Sequence, residues 1–305
     1  MIGTYEFKAN KENIMKLLFI LNPVAGKGKS MRFLPIIKEV CSKEQIEYTI
    51  KMTHHAGGAT PLVKWGIEHG YDRIIAVGGD GTVNETVNGI IGSKAVLGVV
   101  PGGTGNDFIR SISSTKNTDQ YILDVIHGEV KSIDLGLCNG QYFINMASTG
   151  LDTQVVMHTE KVKKYFSGSA AYLIAAPFSI LSYKGWDMKI QIDEETVQDK
   201  TLLVAIANGR YYGGGVMPTP DAKLDDGFFD LCHVKHLSRP RIFQLLPKYI
   251  KGKHMNLKEV YLTKGKEITI TCDSDFPLNL DGEITMTSKA SFKIINNAIS
   301  IVRPK

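Results

Sequence analysis

The chain has 305 residues, with 36 Lys+Arg against 31 Asp+Glu and a formal net charge of +5. A composition that is 43% hydrophobic and 22% charged reads as a folded soluble protein, long enough for one large domain or two smaller ones. The basic excess is spread along the chain and does not form a tail, which favours anionic partners without choosing among nucleotide, nucleic acid and membrane surface. Cys41, Cys138, Cys232 and Cys272 stand far apart, with no CxxC pair and no histidine at finger spacing. That argues against a zinc module and makes a reducing, cytoplasmic setting the default.

Residues 1–13 are a mixed polar stretch without the basic flank and apolar core of an export signal. Residues 14–24 read as a buried strand, because the run LLFIL is apolar and ends at Asn22-Pro23. Residues 31–45 have helical spacing, with Phe33, Ile36, Ile37 and Val40 on one face. Residues 46–52 return to β-like alternation, 59–69 read as helix, 73–77 as a short buried strand, 82–92 as helix and 96–100 as strand. This alternation is the signature of a parallel sheet flanked by helices, whose ligands bind beyond the carboxyl ends of the strands.

Beyond residue 133 the rhythm changes. Residues 154–183 read as largely helical, broken around Gly168 and Pro177. The apolar part, residues 170–181, is shorter than the about 20 residues that a bilayer span needs; it is a buried helix or a surface that touches lipid. Strands are expected at 188–193, 202–208, 228–234, 257–262 and 267–272. Residues 239–249 form an amphipathic helix that Pro247 should end or kink. A second, β-rich domain begins near Gly136.

Two glycine loops carry the chemistry. AVGGDGTVNE at 76–85 lies between a strand and a helix. Gly78, Gly79 and Gly81 let the backbone approach a bulky anion, and the helix starting near Thr82 presents unpaired amides and a positive dipole end. Asp80 sits awkwardly beside phosphate unless a cation compensates it or it caps the helix. VVPGGTGNDF at 99–108 also ends an apolar strand, with Gly102, Gly103 and Gly105 flanking Thr104 and Asn106. Two such loops after adjacent strands converge on one sheet edge. The earlier loop NPVAGKGKS at 22–30 is not a Walker A motif, because Pro23 stands where its first glycine is required. Lys27 and Lys29 either approach phosphate or remain solvated.

The stretches FILNPVAGKGKS (19–30), VGGDGTVNETVNGI (77–90), GVVPGGTGNDFIRS (98–111), PDAKLDDGFFD (220–230) and LDGE (280–283) resemble the diacylglycerol kinase catalytic family, specifically the soluble bacterial lipid kinases, over nearly the whole chain. The resemblance implies an α/β nucleotide-binding domain at 14–135 plus 290–305 and a β-rich, sandwich-like domain at 136–289, with the active-site cleft between them, an architecture shared with NAD kinases. It implies that Asn22, Thr53 and the segment Gly78, Gly79, Asp80, Gly81 and Thr82 face ATP, together with Gly103, Thr104, Gly105 and Asn106. The match at Thr53 is imperfect, since Lys51 and Met52 intervene in TIKMTHHAGGA.

Asp281-Gly282-Glu283 reads from its residues alone as a hairpin turn or a functional pair. The resemblance makes Asp281 the general base for a lipid hydroxyl and Glu283 its charged neighbour. Asp134 resembles a domain-junction aspartate that joins Asp80 through water or magnesium; a turn cap is the alternative. The Lys223 carbonyl, the Asp226 side chain and the Phe228 carbonyl offer oxygens at i, i+3 and i+5, suited to water-rich Mg²⁺, and the resemblance assigns them to a structural magnesium site. The other reading is an ordinary acidic turn capped by Gly227. Asp225 and Asp230 are expected to face solvent unless the loop curls further.

The expected function is ATP- and Mg²⁺-dependent phosphorylation of a lipid hydroxyl, diacylglycerol first. Phosphatidylglycerol or a sphingoid lipid, then NAD, are alternative acceptors, and a non-catalytic nucleotide-binding regulator is the non-enzyme alternative. Nucleic acid is not an expected partner, since no recognition motif joins the basic residues, and His54 and His55 read as loop or surface. A homo-oligomer stays open. A lipid acceptor implies a cytoplasmic enzyme that associates reversibly with the inner face of the cell membrane. Lys161, Lys163, Lys164, Tyr165, Phe166, residues 170–181, Lys184 and Trp186 are the candidate contact surface, with a packed, lysine-solubilised helix as the alternative.

Overall fold

The structure, a computed structural model, describes residues 4–7, 15–113, 118–162 and 169–304. The chain divides into two compact units, one of Met1–Leu135 with Ile295–Lys305 and one of Gly136–Ile294.

The first unit follows the alternation in the sequence: β1 (Thr4–Phe7), β2 (Leu17–Leu21), α1 (Phe33–Lys43), β3 (Tyr48–Met52), α2 (Ala59–Glu68), β4 (Arg73–Gly78), α3 (Asp80–Ile90), β5 (Val96–Pro101), α4 (Asp107–Ile112) and α5 (Thr118–His127). Strands β3, β2, β4 and β5 are parallel in that order, and β1 adds an antiparallel edge to β3. Every residue of β2 and β4 is buried. A parallel strand covered by helices on both faces has no polar side to present, so LLFIL and IIAVG are unbroken apolar runs, and the guanidinium of the buried Arg73 that opens β4 donates to the carbonyls of Val125 and Ile126. Helix α3 starts at Asp80, two residues before the expected Thr82.

Strand β6 (Glu129–Cys138) leads into the second unit, which contains β7 (Gln141–Phe143), β8 (Met146–Gly150), α6 (Leu151–Val162), α7 (Ser169–Ser182), β9 (Trp186–Ile192), β10 (Glu195–Ala207), β11 (Phe229–Lys235), α8 (Arg239–Ile250), β12 (Val260–Gly265) and β13 (Glu267–Leu280). The last strand, β14 (Glu283–Arg303), pairs antiparallel with β13, and its Ser300 and Ile301 pair in parallel with Val96 and Leu97 of β5. The period of two sorts side chains between two cores. Along β10, Val204 and Ile206 enter a core shared with Phe229, Phe276, Leu278 and Phe292, whereas Leu203, Ala205 and Ala207 face a second core closed by Leu151 of α6, Ile180 of α7, and Ile242 and Tyr249 of α8. Long bent strands build the sandwich: Glu195–Thr201 of β10 pairs with β9, whereas Leu203–Ala207 pairs with β8.

Both prolines expected to interrupt helices lie inside them. Helix α7 runs through Pro177 and α8 through Pro247. Each proline is exposed, so the carbonyl it leaves without a helical partner can be hydrated. The expected break at Gly168 lies outside the described residues, as do residues 8–13, Lys163, Lys164, Tyr165 and Phe166.

Candidate phosphotransfer site

In the first unit three loops meet backbone to backbone. Asn22, just past β2, ties the first loop to the second. Its amide donates to Val77 O at 3.0 Å, its Nδ2 donates to Thr82 Oγ1 at 3.1 Å, and its carbonyl accepts Ser30 Oγ at 2.5 Å. The third loop docks on the second through Gly102 N to Gly78 O at 2.8 Å. Glycine is required here by close approach. A Cβ on Gly102 would lie 2.8 Å from Ser30 Cβ, one on Gly79 would lie 3.1 Å from Gly103 Cα, and one on Gly103 would overlap Gly79 Cα. The 103–106 turn closes on itself, with Gly103 N donating to Asn106 Oδ1 at 3.0 Å and Asn106 Nδ2 returning to Gly103 O at 3.1 Å, while Asn106 adopts the left-handed conformation at φ 52°.

Asp80 links the second and third loops. Its Oδ1 accepts the amides of Asp107 at 2.7 Å and Phe108 at 3.3 Å, so it caps α4, the helix after the other glycine loop. Burial pushes its carboxyl above the ordinary value, against the opposing effect of the amides of Phe108, Asp107 and Asn106. Asp80 therefore caps a distant helix and not the one it opens. Asp80 Oδ2 lies toward Gly105, where a Cβ would stand 2.7 Å away. A half-buried aspartate beside a phosphate-type loop fits Mg²⁺ carried in with nucleotide, and among the described residues no cluster of three His, Cys, Asp or Glu is placed to hold a metal by itself. Mg²⁺ at this edge would therefore depend on phosphate oxygens and water, as it commonly does.

Thr53 and Asp134 have defined backbone partners. Thr53 is buried, and its amide donates to Leu21 O at 2.9 Å. His54 and His55 are exposed, as expected. Thr104 is exposed and Gly105 half-buried. Asp134 is buried in β6 and accepts the Asn297 amide at 2.8 Å. The sequence reading gave no role to Glu85, yet its carboxylate accepts the amides of Gly57 and Ala59, both at 2.8 Å, and its carbonyl accepts Thr60 Oγ1 at 2.8 Å. Glu85 thereby fixes the 53–60 loop and caps α2; the adjacent Asn-Glu pair in the second glycine motif was the available signal.

In the second unit Asp281 occupies the β13–β14 turn with φ 47°. Three consecutive amides grip its carboxylate: Ile144 N to Oδ2 at 2.7 Å, and Asn145 N and Met146 N to Oδ1 at 3.0 and 2.9 Å. Asn279 Oδ1 accepts the Gly282 amide at 2.8 Å and completes the turn. Glu283 is exposed and accepts Gln141 Nε2 at 3.2 Å.

The 223–228 turn contains a cation of its own. Asp226 Oδ2 pairs with Lys264 Nζ at 2.6 Å, its Oδ1 accepts the Phe228 amide at 3.2 Å, and Lys264 also reaches Asp230 Oδ2 at 3.2 Å. Burial opposes the charge on Lys264, but its two carboxylate partners outweigh that and hold its pKa above the ordinary value. The donor set of the Lys223 carbonyl, Asp226 and the Phe228 carbonyl does not fit Mg²⁺ while Lys264 holds Asp226. Asp225 is exposed, whereas Asp230, expected in solvent, is largely covered because it shares Lys264.

A parallel-sheet unit with three interlocked glycine loops at the strand ends, joined in one chain to a β-sandwich bearing a clamped carboxylate, defines a nucleotide-dependent phosphotransferase. Residues 16–138 match the model of the diacylglycerol kinase catalytic domain, and residues 145–303 match the YegS C-terminal NAD kinase beta sandwich-like domain. The chain is 33% identical to the diacylglycerol kinase of Staphylococcus saprophyticus, covering 93% of this chain and 94% of that one. It is 31% identical to the diacylglycerol kinase of Bacillus subtilis, covering 94% and 95%. A crystal structure of a putative diacylglycerol kinase from Bacillus anthracis superposes with a TM-score of 0.77 at 27% identity, covering 96% of this chain and 99% of that one. The chain belongs to the diacylglycerol kinase family of lipid kinases, and it is an ATP-dependent kinase.

Proposed function

We propose that the enzyme transfers the γ-phosphoryl group of ATP to the free hydroxyl of diacylglycerol, giving phosphatidic acid and ADP. The observation that carries this reading is the interlocking of the loops at 22–30, 78–82 and 102–106, with the first turn of α3 at their meeting point. The first amides of a helix have no partners within it and favour a phosphate. In this reading Asn22, Thr53, Gly78, Gly79, Gly81, Thr82, Gly103, Thr104, Gly105 and Asn106 shape the nucleotide site. Mg²⁺ supplied with ATP neutralises phosphate charge, and Asp80 and Asp134 are the carboxylates assigned to it.

Asp281 takes the proton of the acceptor hydroxyl as its oxygen bonds to the γ-phosphorus and the bond to the bridging oxygen of ADP breaks. Three amide donors fix the plane of that carboxylate, which suits a reaction dominated by positioning. Among the described residues no helix is long and apolar enough to cross a membrane. We assign the enzyme to the cytoplasm, reversibly associated with the inner face of the cell membrane where its acceptor resides.

The deciding experiment supplies purified protein with labelled ATP, Mg²⁺ and, separately, diacylglycerol, phosphatidylglycerol, a sphingoid base and NAD. Labelled phosphatidic acid is the expected product. Label in NAD and in none of the lipids would overturn the acceptor assignment and leave the phosphate loops in place; label only in phosphatidylglycerol or the sphingoid base would replace diacylglycerol by that lipid.

A further inference from the structure

Helix α7 has the sequence SAAYLIAAPFSILS, without one charged residue in 14. Its Ile180 points into the core under the helices, yet Ile174, Phe178 and Leu181, at i, i+4 and i+7, are 45%, 60% and 56% exposed. Surface helices normally place charge on the side away from the core, and a contiguous apolar face is a binding surface. Phe178 is held in place: His158 of α6 stacks edge-on against it at 4.9 Å and bonds Ser179 Oγ at 2.7 Å. Met157, one position before His158 on α6, is also exposed.

The rim of this face is basic. Lys161 and Lys184 are exposed at the ends of α6 and α7. Three residues past α7, an added Cβ on Gly185 would lie 3.1 Å from Lys200 Cε and 2.8 Å from His236 Nδ1, and the exposed Arg239 opens α8 three residues after His236.

We propose that the exposed face of α7 is the membrane-docking surface, lying in the headgroup layer of an anionic bilayer with Ile174, Phe178 and Leu181 inserted and Lys184, Lys200 and Arg239 against the phosphates. The proposal rests on the reading of the acceptor as a lipid and gives that acceptor's source a place on the protein. At 1.5 Å per residue the helix is about 21 Å long, suited to lying in the interface and too short to span it. A second copy of the chain is the poorer occupant, because a two-fold contact would bring the basic rim against itself, whereas anionic headgroups complement it.

The test measures co-sedimentation of the full-length protein with vesicles of mixed phosphatidylglycerol and phosphatidylcholine, and of phosphatidylcholine alone, for the parent, Phe178→Ser/Leu181→Ser and Lys184→Glu/Arg239→Glu. The first pair should weaken partitioning about tenfold or more on both vesicles, since each apolar side chain withdrawn from the bilayer costs about that much. The second pair should abolish the preference for anionic vesicles and its salt dependence. All positions are exposed, so both variants should unfold at the parent's temperature. Partitioning unchanged in both variants overturns the proposal. So does a parent dimer that Phe178→Ser/Leu181→Ser dissociates while vesicle binding stays intact, which would assign the face to a second copy. Turnover of a short-chain diacylglycerol dissolved as monomer is followed in parallel. Its absence in the parent strikes the acceptor assignment, and vesicle binding still decides the surface.

Discussion

Gly81→Ala separates phosphate recognition from loop construction. Gly81 lies in the first turn of α3, is exposed, and a Cβ built on it meets no heavy atom within 4 Å. Alanine at a compatible helical position stabilises by about 0.4–1 kcal/mol, so the folded protein should keep or slightly raise its melting temperature. If the γ-phosphate rests on these amides, the methyl stands where the phosphate approaches. Losing one charge-assisted hydrogen bond costs about 1.5–3 kcal/mol, which weakens ATP binding between about tenfold and a hundredfold. Gly103→Ala is the contrasting case. Its Cβ overlaps Gly79 Cα and lies 2.9 Å from Asn106 Oδ1, so it should destabilise the fold itself by about 1–3 kcal/mol. Calorimetric titration with Mg²⁺-ATP and thermal unfolding of both variants provide the check. Unchanged ATP affinity in folded Gly81→Ala would refute phosphate binding at the start of α3.

Asp281→Asn should lower turnover on diacylglycerol at least about a hundredfold while Mg²⁺-ATP affinity stays near that of the parent; near-normal turnover in single-turnover assays would remove it from the reaction. Lys264→Ala should make thermal stability Mg²⁺-dependent where the parent's is nearly independent, because Asp226 loses its built-in cation; equal Mg²⁺-induced shifts in both proteins would show that the ammonium does not block the turn. Burial raises the pKa of Asp152, against hydrogen bonds from Ser148, Thr153 and Tyr212, so its contribution to stability is complete below its unfolded value near about 3.9 and is lost as pH rises through the higher folded value. Asp152→Asn should flatten that decline in urea-unfolding measurements across pH, and an unaltered profile would exclude Asp152 as its source.

The first unit was legible because β2 and β4 are buried throughout and β2, β4 and β5 each lead into a glycine motif. The second was harder for definable reasons. Strand β8, MASTG, is buried throughout, but its small and polar residues carry no apolar signal; Thr149 is satisfied by the Pro277 carbonyl at 2.7 Å, a partner supplied only by the folded sheet. Strand β13 was read to residue 272 and extends to Leu280, because its exposed polar stretch Asp273–Asp275 coincides with a register irregularity between Thr271 and Phe276. In the site, the glycine loops announced themselves by spacing. The partners of the acids did not: Asp80 bonds amides 27 and 28 residues away, and Asp226 meets Lys264 across 38 residues. No local pattern encodes those distances.

Both units use one device, a carboxylate that accepts successive backbone amides from a distant segment: Asp80 from residues 107 and 108, Asp281 from residues 144, 145 and 146. A substitution at either position therefore removes a structural acceptor together with a charge. Asparagine at 281 must turn an NH₂ toward a backbone N–H or leave one of three donors unpaired, at about 1–3 kcal/mol. Loss of activity in Asp281→Asn alone would not separate proton transfer from displacement of the 144–146 backbone. Glu283 supplies the separation. It is exposed and accepts from the Gln141 side chain, so Glu283→Gln removes the neighbouring charge and leaves the amide clamp whole. If the charge of the pair drives acceptor activation, Glu283→Gln lowers kcat and moves its pH profile with no change in thermal stability. If Asp281 acts by holding the turn in place, Glu283→Gln leaves both untouched while Asp281→Asn lowers melting temperature and activity together.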